Sequence, residues 1–306
     1  MEGSIPNARI AVVTGGNKGI GLEVCRQLAG AGITVVLTAR DETRGAAAVE
    51  KLREAGLSNV IFHQLEITDA PSISQLADFL KTRFGKLDIL VNNAAISAAE
   101  YAGDPVDSPL TFEEKFAGMD HGQRLLWMFN AVRQTYDAAR EGLQVNYYGT
   151  KHVIEALLPL LQASPDATIV NVSSEAGLLR HIRNEELKQE LDGIDKLTEE
   201  RLDEVLDMFL SDFKAGEAEA RGWPTYITAY STAKVAVNAY SRMLARRHPA
   251  LRVNCVHPGY VKTDMTMNSG ILTPEEGASS VVKVALLPEG GPTGAYFALG
   301  EEAPFV

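Results

Sequence analysis

Over residues 9–93, short β-branched runs alternate with longer amphipathic stretches, and this alternation narrows the fold more than any other feature. RIAVVTG (9–15), ITVVLTA (33–39), NVIFHQL (59–65) and LDILVNN (87–93) each read as a strand. The spacing between them gives helices. Lys18–Leu28 carries Ile20, Val24 and Leu28 on one face, and a second helix runs through Ala46, Val49 and Leu52. A third, from Pro71 to Phe84, opens with Asp69 as N-cap and Pro71 in its first turn. Largely apolar strands separated by helices form a parallel sheet covered on both faces. The expected class is α/β, a doubly wound parallel sheet of Rossmann type.

The second half keeps the rhythm and stretches it. Residues 145–161 read as one long helix, 167–174 as a strand, 228–248 as a long helix, 251–259 as a strand, and GAYFAL (294–299) as a last edge strand. With no linker, repeat or low-complexity tract, residues 1–306 read as a single domain. Two acid-rich, helix-prone stretches, 98–140 and 176–222, read as helical insertions between sheet elements.

Composition enters through what it excludes. Lys+Arg 29 against Asp+Glu 40 gives a net charge of −11, which argues against a nucleic-acid partner. Cys25 and Cys255 supply neither a disulfide framework nor a metal cluster. His63, His152, His181 and His257 share no ligand spacing with other donors, so no metal is expected. The start, MEGSIPNAR, lacks a signal-peptide apolar region, the end lacks a prenylation cysteine, and no apolar run is long enough to span a bilayer. A cytoplasmic protein without a membrane partner is expected. The sequon Asn171-Val-Ser173 falls in an expected buried strand and reads as structural.

TGGNKGIG (14–21) links the first strand to the first helix. Glycines there let the backbone approach a pyrophosphate held at the positive helix N-terminus. The spacing Gly15-xxx-Gly19-x-Gly21 is neither the stricter G-x-G-x-x-G nor a P-loop, which needs Lys-Ser/Thr after its last glycine. The bland alternative is a tight packing turn. Cofactor choice turns on the end of the second strand, where a carboxylate suits NAD and an arginine the 2′-phosphate of NADP. Arg40 stands there, followed by Asp41, and Lys18 adds a second cation, so NADP(H) is expected; a solvated Arg40 at the strand edge is the alternative.

Tyr230 and Lys234 lie four apart on one helix, hence on one face. A free phenol, with a pKa of roughly 10, is a poor acid–base at neutral pH. A nearby ammonium favours the phenolate and is expected to bring Tyr230 toward the working range. Alone, Y-x-x-x-K is more often a surface pair. Ser174, ending VNVSS, can donate a second hydrogen bond to a developing alkoxide. Asn146 in VNYYG and Asn92-Asn93 in VNNAA add polar groups beside apolar elements.

The ordered set TGGNKGIG, VNNAA, VNYYG, VNVSS, Y-x-x-x-K and HPGYVKTDM resembles the short-chain dehydrogenase/reductase family along nearly the whole chain. The 56-position gap from Ser174 to Tyr230, GWPTYITAY, TPEEGA and ALLP resemble its carbonyl reductase branch, and there the plant reductases of the salutaridine and menthone/neomenthol type. The resemblance implies Tyr230 as general acid and Ser174 polarising the carbonyl. Lys234 would hold the nicotinamide ribose, and Asn146 would anchor a relay water. It also implies cofactor contacts from Gly15, Asn17, Lys18, Gly19, Ile20 and Gly21, from Arg40, and from Asn93 at the ribose. Val261 and Thr263, after Pro258-Gly259, would grip the nicotinamide amide and pyrophosphate. Two positions depart from the pattern: Ala95 replaces the usual glycine of NNAG, and Glu66 replaces the usual aspartate facing adenine.

The implied activity is NADPH-dependent, reversible reduction of a small apolar, cyclic ketone of terpenoid or alkaloid type. Reduction of a conjugated C=C bond is the alternative within the branch; a cofactor-binding sensor or scaffold without turnover is the alternative outside it. Family members with a short Ser–Tyr interval build tetramers through two central helices. The 176–222 insertion is expected to cover that face or the pocket, giving a monomer. Tyr147, Tyr148, Trp223, Met265 and Met267 are candidates for an apolar pocket wall, with core packing the alternative, strongest for Tyr147.

Overall fold

The computed structural model describes residues 9–102 and 112–306; the opening MEGSIPNA and part of the first expected insertion lie outside them. The chain alternates β1 (Ile10–Val13), α1 (Gly19–Gly30), β2 (Thr34–Ala39), α2 (Glu42–Glu54), β3 (Val60–Gln64), α3 (Ala70–Arg83) and β4 (Ile89–Asn92). The first inserted region holds β5 (Glu100–Tyr101), α4 (Phe112–Phe116), α5 (His121–Asn130), β6 (Val132–Arg133) and α6 (Tyr136–Leu143). A π-helical turn, Gln144–Gly149, leads into α7 (Thr150–Gln162), followed by β7 (Thr168–Val172). Next come α8 (Glu185–Asp192), α9 (Glu199–Ala215), α10 (Thr228–Arg247), β8 (Arg252–His257), α11 (Pro274–Ala285), β9 (Tyr296–Ala298) and β10 (Glu301–Ala303).

One sheet runs β10-β9-β8-β7-β4-β1-β2-β3, parallel throughout except for the β9–β10 pair. This is the doubly wound order, in which the chain reverses direction between β1 and β4 and leaves a crevice at the carboxyl ends of the strands. The period of two along each strand sorts the core. Ala11, Val13, Val35 and Leu37 meet Val24 and Leu28 of α1, Val49 of α2 and Val281 of α11. Val12, Val36, Leu90 and Ile169 meet Leu76 of α3, Val153 and Leu157 of α7, and Ala236 and Tyr240 of α10. Asp88, at the opposite end of the sheet from the crevice, is a buried hub. Its carboxylate accepts the Ile10 N–H (2.7 Å), the Ser164 hydroxyl (2.6 Å) and Lys86 Nζ (2.8 Å).

Two elements differ from the sequence reading. Residues 294–299 do not form the edge, because β10 adds an antiparallel strand outside β9. The helix expected over 145–161 opens as a π turn, so its hydrogen-bond ladder carries an extra residue beside Asn146.

The 176–222 insertion folds onto the helical face of α6, α7 and α10. Leu202, Val205, Leu206 and Phe209 of α9 are buried, and α9 packs against α6 and α10. Lys151 of α7 pairs with Glu199 (2.9 Å) and Asp203 (3.5 Å) of α9, and Arg247 of α10 reaches the same Glu199. Trp223 closes the insertion, edge-on to Phe209, with its indole N–H donated to Asp212.

Candidate active site

At the carboxyl end of β1, the glycine turn owes its shape to contacts a side chain would destroy. Gly15 and Gly19 adopt φ of +63° and +55°. A Cβ on Gly21 would lie 2.4 Å from both the Gly15 carbonyl oxygen and Asn93 Nδ2. Asn93 is the clamp: its Nδ2 donates to the Thr14 (2.9 Å) and Gly15 (3.2 Å) carbonyls, while its own N–H donates to the Thr14 hydroxyl (2.9 Å). The side chain thus braces the glycine turn through its amide nitrogen.

Beyond the turn, α1 starts without a side-chain cap and without an acid in its first turn. The neighbouring α2, α3 and α11 are capped by Asp41, Asp69 and Thr273. An uncapped helix N-terminus presents free N–H donors to an anion. Across the crevice, Thr263 stands where a Cβ on Gly19 would be 3.3 Å from its methyl, which fits a slot kept clear for a pyrophosphate. Pro258, Gly259 and Val261 lead to Thr263, and Val261 is buried, bridged to Leu272. Asn17 and Ile20 lie in the turn and first helical residues on the other side.

Lys18 lies in the glycine turn, as the N-cap residue of α1. Its Nζ pairs with Asp264 at 2.6 Å, both groups being exposed, so the turn is joined to the loop after Thr263. Tyr101 donates its hydroxyl to the Asp264 carbonyl (3.2 Å). Arg40 and Glu66 share a cavity of about 390 Å³ with Thr68, Arg140 and Gln144. The Glu66 carboxylate accepts both the N–H (3.2 Å) and the hydroxyl (3.0 Å) of Thr68.

Ser174, Tyr230 and Lys234 come together at the carboxyl end of β7. Ser174 stands beside the Tyr230 phenol, and its Oγ accepts the Ala176 N–H at 3.2 Å. The adjacent Ser173 points the other way and donates to Asn238 Oδ1 (2.6 Å) in the core. Lys234 is 4% exposed, its Nζ 5.6 Å from the Tyr230 ring centroid and donating to the Val172 carbonyl at 2.6 Å. Burial pushes the phenol up to about 12, with the neighbouring Ser174 hydroxyl pulling partly back. Burial brings Lys234 down to about 8. In the protein alone, burial thus sets the direction for Tyr230, upward, against the lowering expected from the four-residue spacing. At neutral pH the phenol keeps its proton and the lysine its charge.

Asn146 sits in the π turn with its amide committed on both sides: Oδ1 accepts the Ile96 N–H (2.8 Å) and Nδ2 donates to the Ile96 carbonyl (2.9 Å). Its carbonyl accepts the Thr150 hydroxyl (3.0 Å). The side chain pins the segment after β4. Below the site, Asn92 donates to Asn171 (2.8 Å), Asn171 to Ser241 (2.7 Å), and Ser241 to the Val237 carbonyl (2.6 Å). Sequence reasoning missed this ladder and the Thr14 and Asp264 contacts. Thr14 alone carried a local signal, as a hydroxyl ending an apolar strand. Of the candidate pocket residues, Tyr147, Trp223 and Met267 are core, at 1%, 1% and 5% exposure, whereas Tyr148 and Met265 are half-buried. Phe129 and Tyr226 stack at 5.1 Å, the tyrosine largely exposed. Ile227, the residue before α10, is left-handed at φ +40° and ψ +49°, without a capping side chain.

A parallel sheet with an anion-ready glycine turn beside a Ser–Tyr–Lys set defines an oxidoreductase that uses a nicotinamide nucleotide. A model described as short chain dehydrogenase matches residues 9–114, and one described as enoyl-(acyl carrier protein) reductase matches 216–293. Short-chain dehydrogenase/reductase 1 of Saponaria officinalis is 50% identical over 97% of this chain and 96% of its own. The structure of salutaridine reductase from Papaver somniferum superposes with a TM-score of 0.86 at 48% identity, over 95% of this chain and 99% of that one. Menthone neomenthol reductase from Mentha piperita gives 0.81 at 40% identity, over 96% and 100%. The chain belongs to the short-chain dehydrogenase/reductase family.

Proposed function

We propose that the protein is an NADPH-dependent reductase converting a small apolar, cyclic ketone of terpenoid or alkaloid type reversibly to its alcohol. The observation that carries this reading is the protonated Tyr230 phenol beside Ser174, with the Lys234 ammonium 5.6 Å from its ring centroid. When bound, NADPH supplies the hydride. Tyr230 gives its proton to the carbonyl oxygen, and Ser174 donates a hydrogen bond to the charge that builds there. Lys234 holds the nicotinamide ribose hydroxyls and, when the phenol deprotonates, stabilises the phenolate. The glycine turn and the N-terminus of α1 would hold the pyrophosphate, with Thr263 opposite Gly19, and Arg40 and Glu66 would hold the adenosine end. The substrate class is supported by the likeness to the salutaridine and menthone enzymes.

Residues 1–306 act as one catalytic domain with two insertions. The α9 segment covers the α7–α10 face, which supports a monomer; a tetramer on size-exclusion chromatography would sink that part. Two free, buried cysteines support a reducing setting, the cytoplasm.

The test is NADPH consumption against cyclic ketones, enones and alkaloid ketones, with product analysis and Tyr230→Phe alongside. Alcohols formed by the wild type and lost by ~10²–10⁴-fold in Tyr230→Phe are expected. Saturated ketones from enones would move the assignment to C=C reduction. NADPH binding without turnover on the panel would count against this reading and favour a sensor.

A further inference from the structure

The cavity shared by Arg40 and Arg140 lies where the adenosine half of a dinucleotide reaches, beyond the carboxyl ends of β2 and β3. Its far wall is α6, which contributes Arg140 and Glu141, and the π turn, which contributes Gln144. The lining has mixed charge. Glu66 and Glu141 offer acceptors suited to an exocyclic amine, and two guanidiniums offer planar forks suited to a phosphate. A purine nucleotide bearing an extra phosphate carries both kinds of group.

The cations differ in how free they are. Lys18 is held by Asp264 at 2.6 Å and must give up that partner to turn toward a phosphate. Among the described residues Arg40 has no ion pair, the adjacent Asp41 lying 3.8 Å from Arg44 instead. Arg140 has only Asp137, at 3.7 Å on its own helix, and its side chain is 61% exposed. A phosphate monoester near neutral pH carries between one and two negative charges, more than one guanidinium cancels.

We propose that Arg140 of the α6 insertion, facing Arg40 across this cavity, is a second cation for the 2′-phosphate of NADPH. The inference rests on the NADPH reading above. The insertion thereby contributes to cofactor selection as well as to covering the helices.

Equilibrium binding to the full chain tests it without turnover, using NADPH, NADH, 2′,5′-ADP and 5′-AMP on wild type, Arg140→Gln and Arg140→Lys. Arg140→Gln is expected to weaken NADPH and 2′,5′-ADP by about tenfold or more, as for a lost charge-assisted hydrogen bond, and NADH and 5′-AMP less than about twofold. Arg140→Lys should recover part of the loss, and the salt dependence of NADPH binding should become shallower in Arg140→Gln. An equal loss for phosphorylated and unphosphorylated ligands would overturn the proposal, because it would show stacking on adenine or a general disturbance. An unchanged NADPH/NADH ratio in Arg140→Gln would overturn it too. A wild type that does not prefer NADPH over NADH would instead bring down the cofactor reading itself.

Discussion

Lys234→Met should make the protein more stable while removing its activity. The lysine is 4% exposed, and burial lowers its pKa from 10.5 to about 8. At about 1.36 kcal/mol per unit, keeping the charged form in that site costs roughly 3 kcal/mol. Methionine matches the aliphatic stem and has no charge to desolvate. Against this stands the lost Nζ hydrogen bond to the Val172 carbonyl, worth about 1 kcal/mol. The balance is a gain of about 2 kcal/mol at pH 7. With about 2.1 cal/mol/K of unfolding entropy per residue over 306 residues, that gain raises Tm by roughly 3 °C. The pH dependence supplies the sign. Between pH 8 and 10.5 the unfolded wild type holds the Lys234 proton and the folded one does not, so wild-type stability rises with pH across that window. The advantage of the variant is therefore full below pH 8 and, falling by about 1.4 kcal/mol per pH unit, is gone by about pH 9.5. Thermal melts of both proteins without cofactor, at pH 7 and pH 9.5, read the gap directly. A less stable variant at pH 7, or a gap that does not narrow at pH 9.5, would refute the reasoning.

Further outcomes follow from single contacts. Ser174→Ala should cost ~10²–10³ in kcat, measured at saturating substrate, with the fold unchanged by circular dichroism. Gly21→Ala places a methyl 2.4 Å from the Gly15 carbonyl and from the Asn93 amide. It should weaken NADPH binding by at least tenfold in a fluorescence titration, whereas wild-type affinity would show that the turn can give way. Asp88→Ala leaves the Ile10 N–H and Ser164 without their acceptor at the far end of the sheet. A loss of about 3 kcal/mol in urea unfolding is expected, with KM unchanged.

What the sequence discloses here depends on whether the information is local. Strands β1 to β4 are legible because burial demands an uninterrupted apolar composition, and Tyr230 and Lys234 are legible because one helix carries both. The π turn at Asn146 is not, since an extra residue in a hydrogen-bond ladder leaves residue types unchanged. The edge strand β10 is hidden by its exposed Glu301 and Glu302, which read as a polar tail. Lys18 and Asn93 show a third kind of gap. Their chemistry is evident, but Lys18 finds a partner 246 positions away and Asn93 one 79 positions back, and such distances carry no periodicity. The charge balance at Tyr230 is likewise a product of burial, which no four-residue spacing encodes.

Ile227 has a consequence for anyone improving this protein. A β-branched side chain in the left-handed region carries a steric penalty of roughly 1–2 kcal/mol that asparagine or glycine largely escapes. A screen for thermal tolerance would therefore favour replacements at 227, three residues ahead of Tyr230. That same backbone bend sets how α10 begins, and with it the angle at which Tyr230 enters the crevice. Heat resistance and turnover are in this way coupled through one uncomfortable peptide unit, so variants selected for the first deserve assay of the second before any other property.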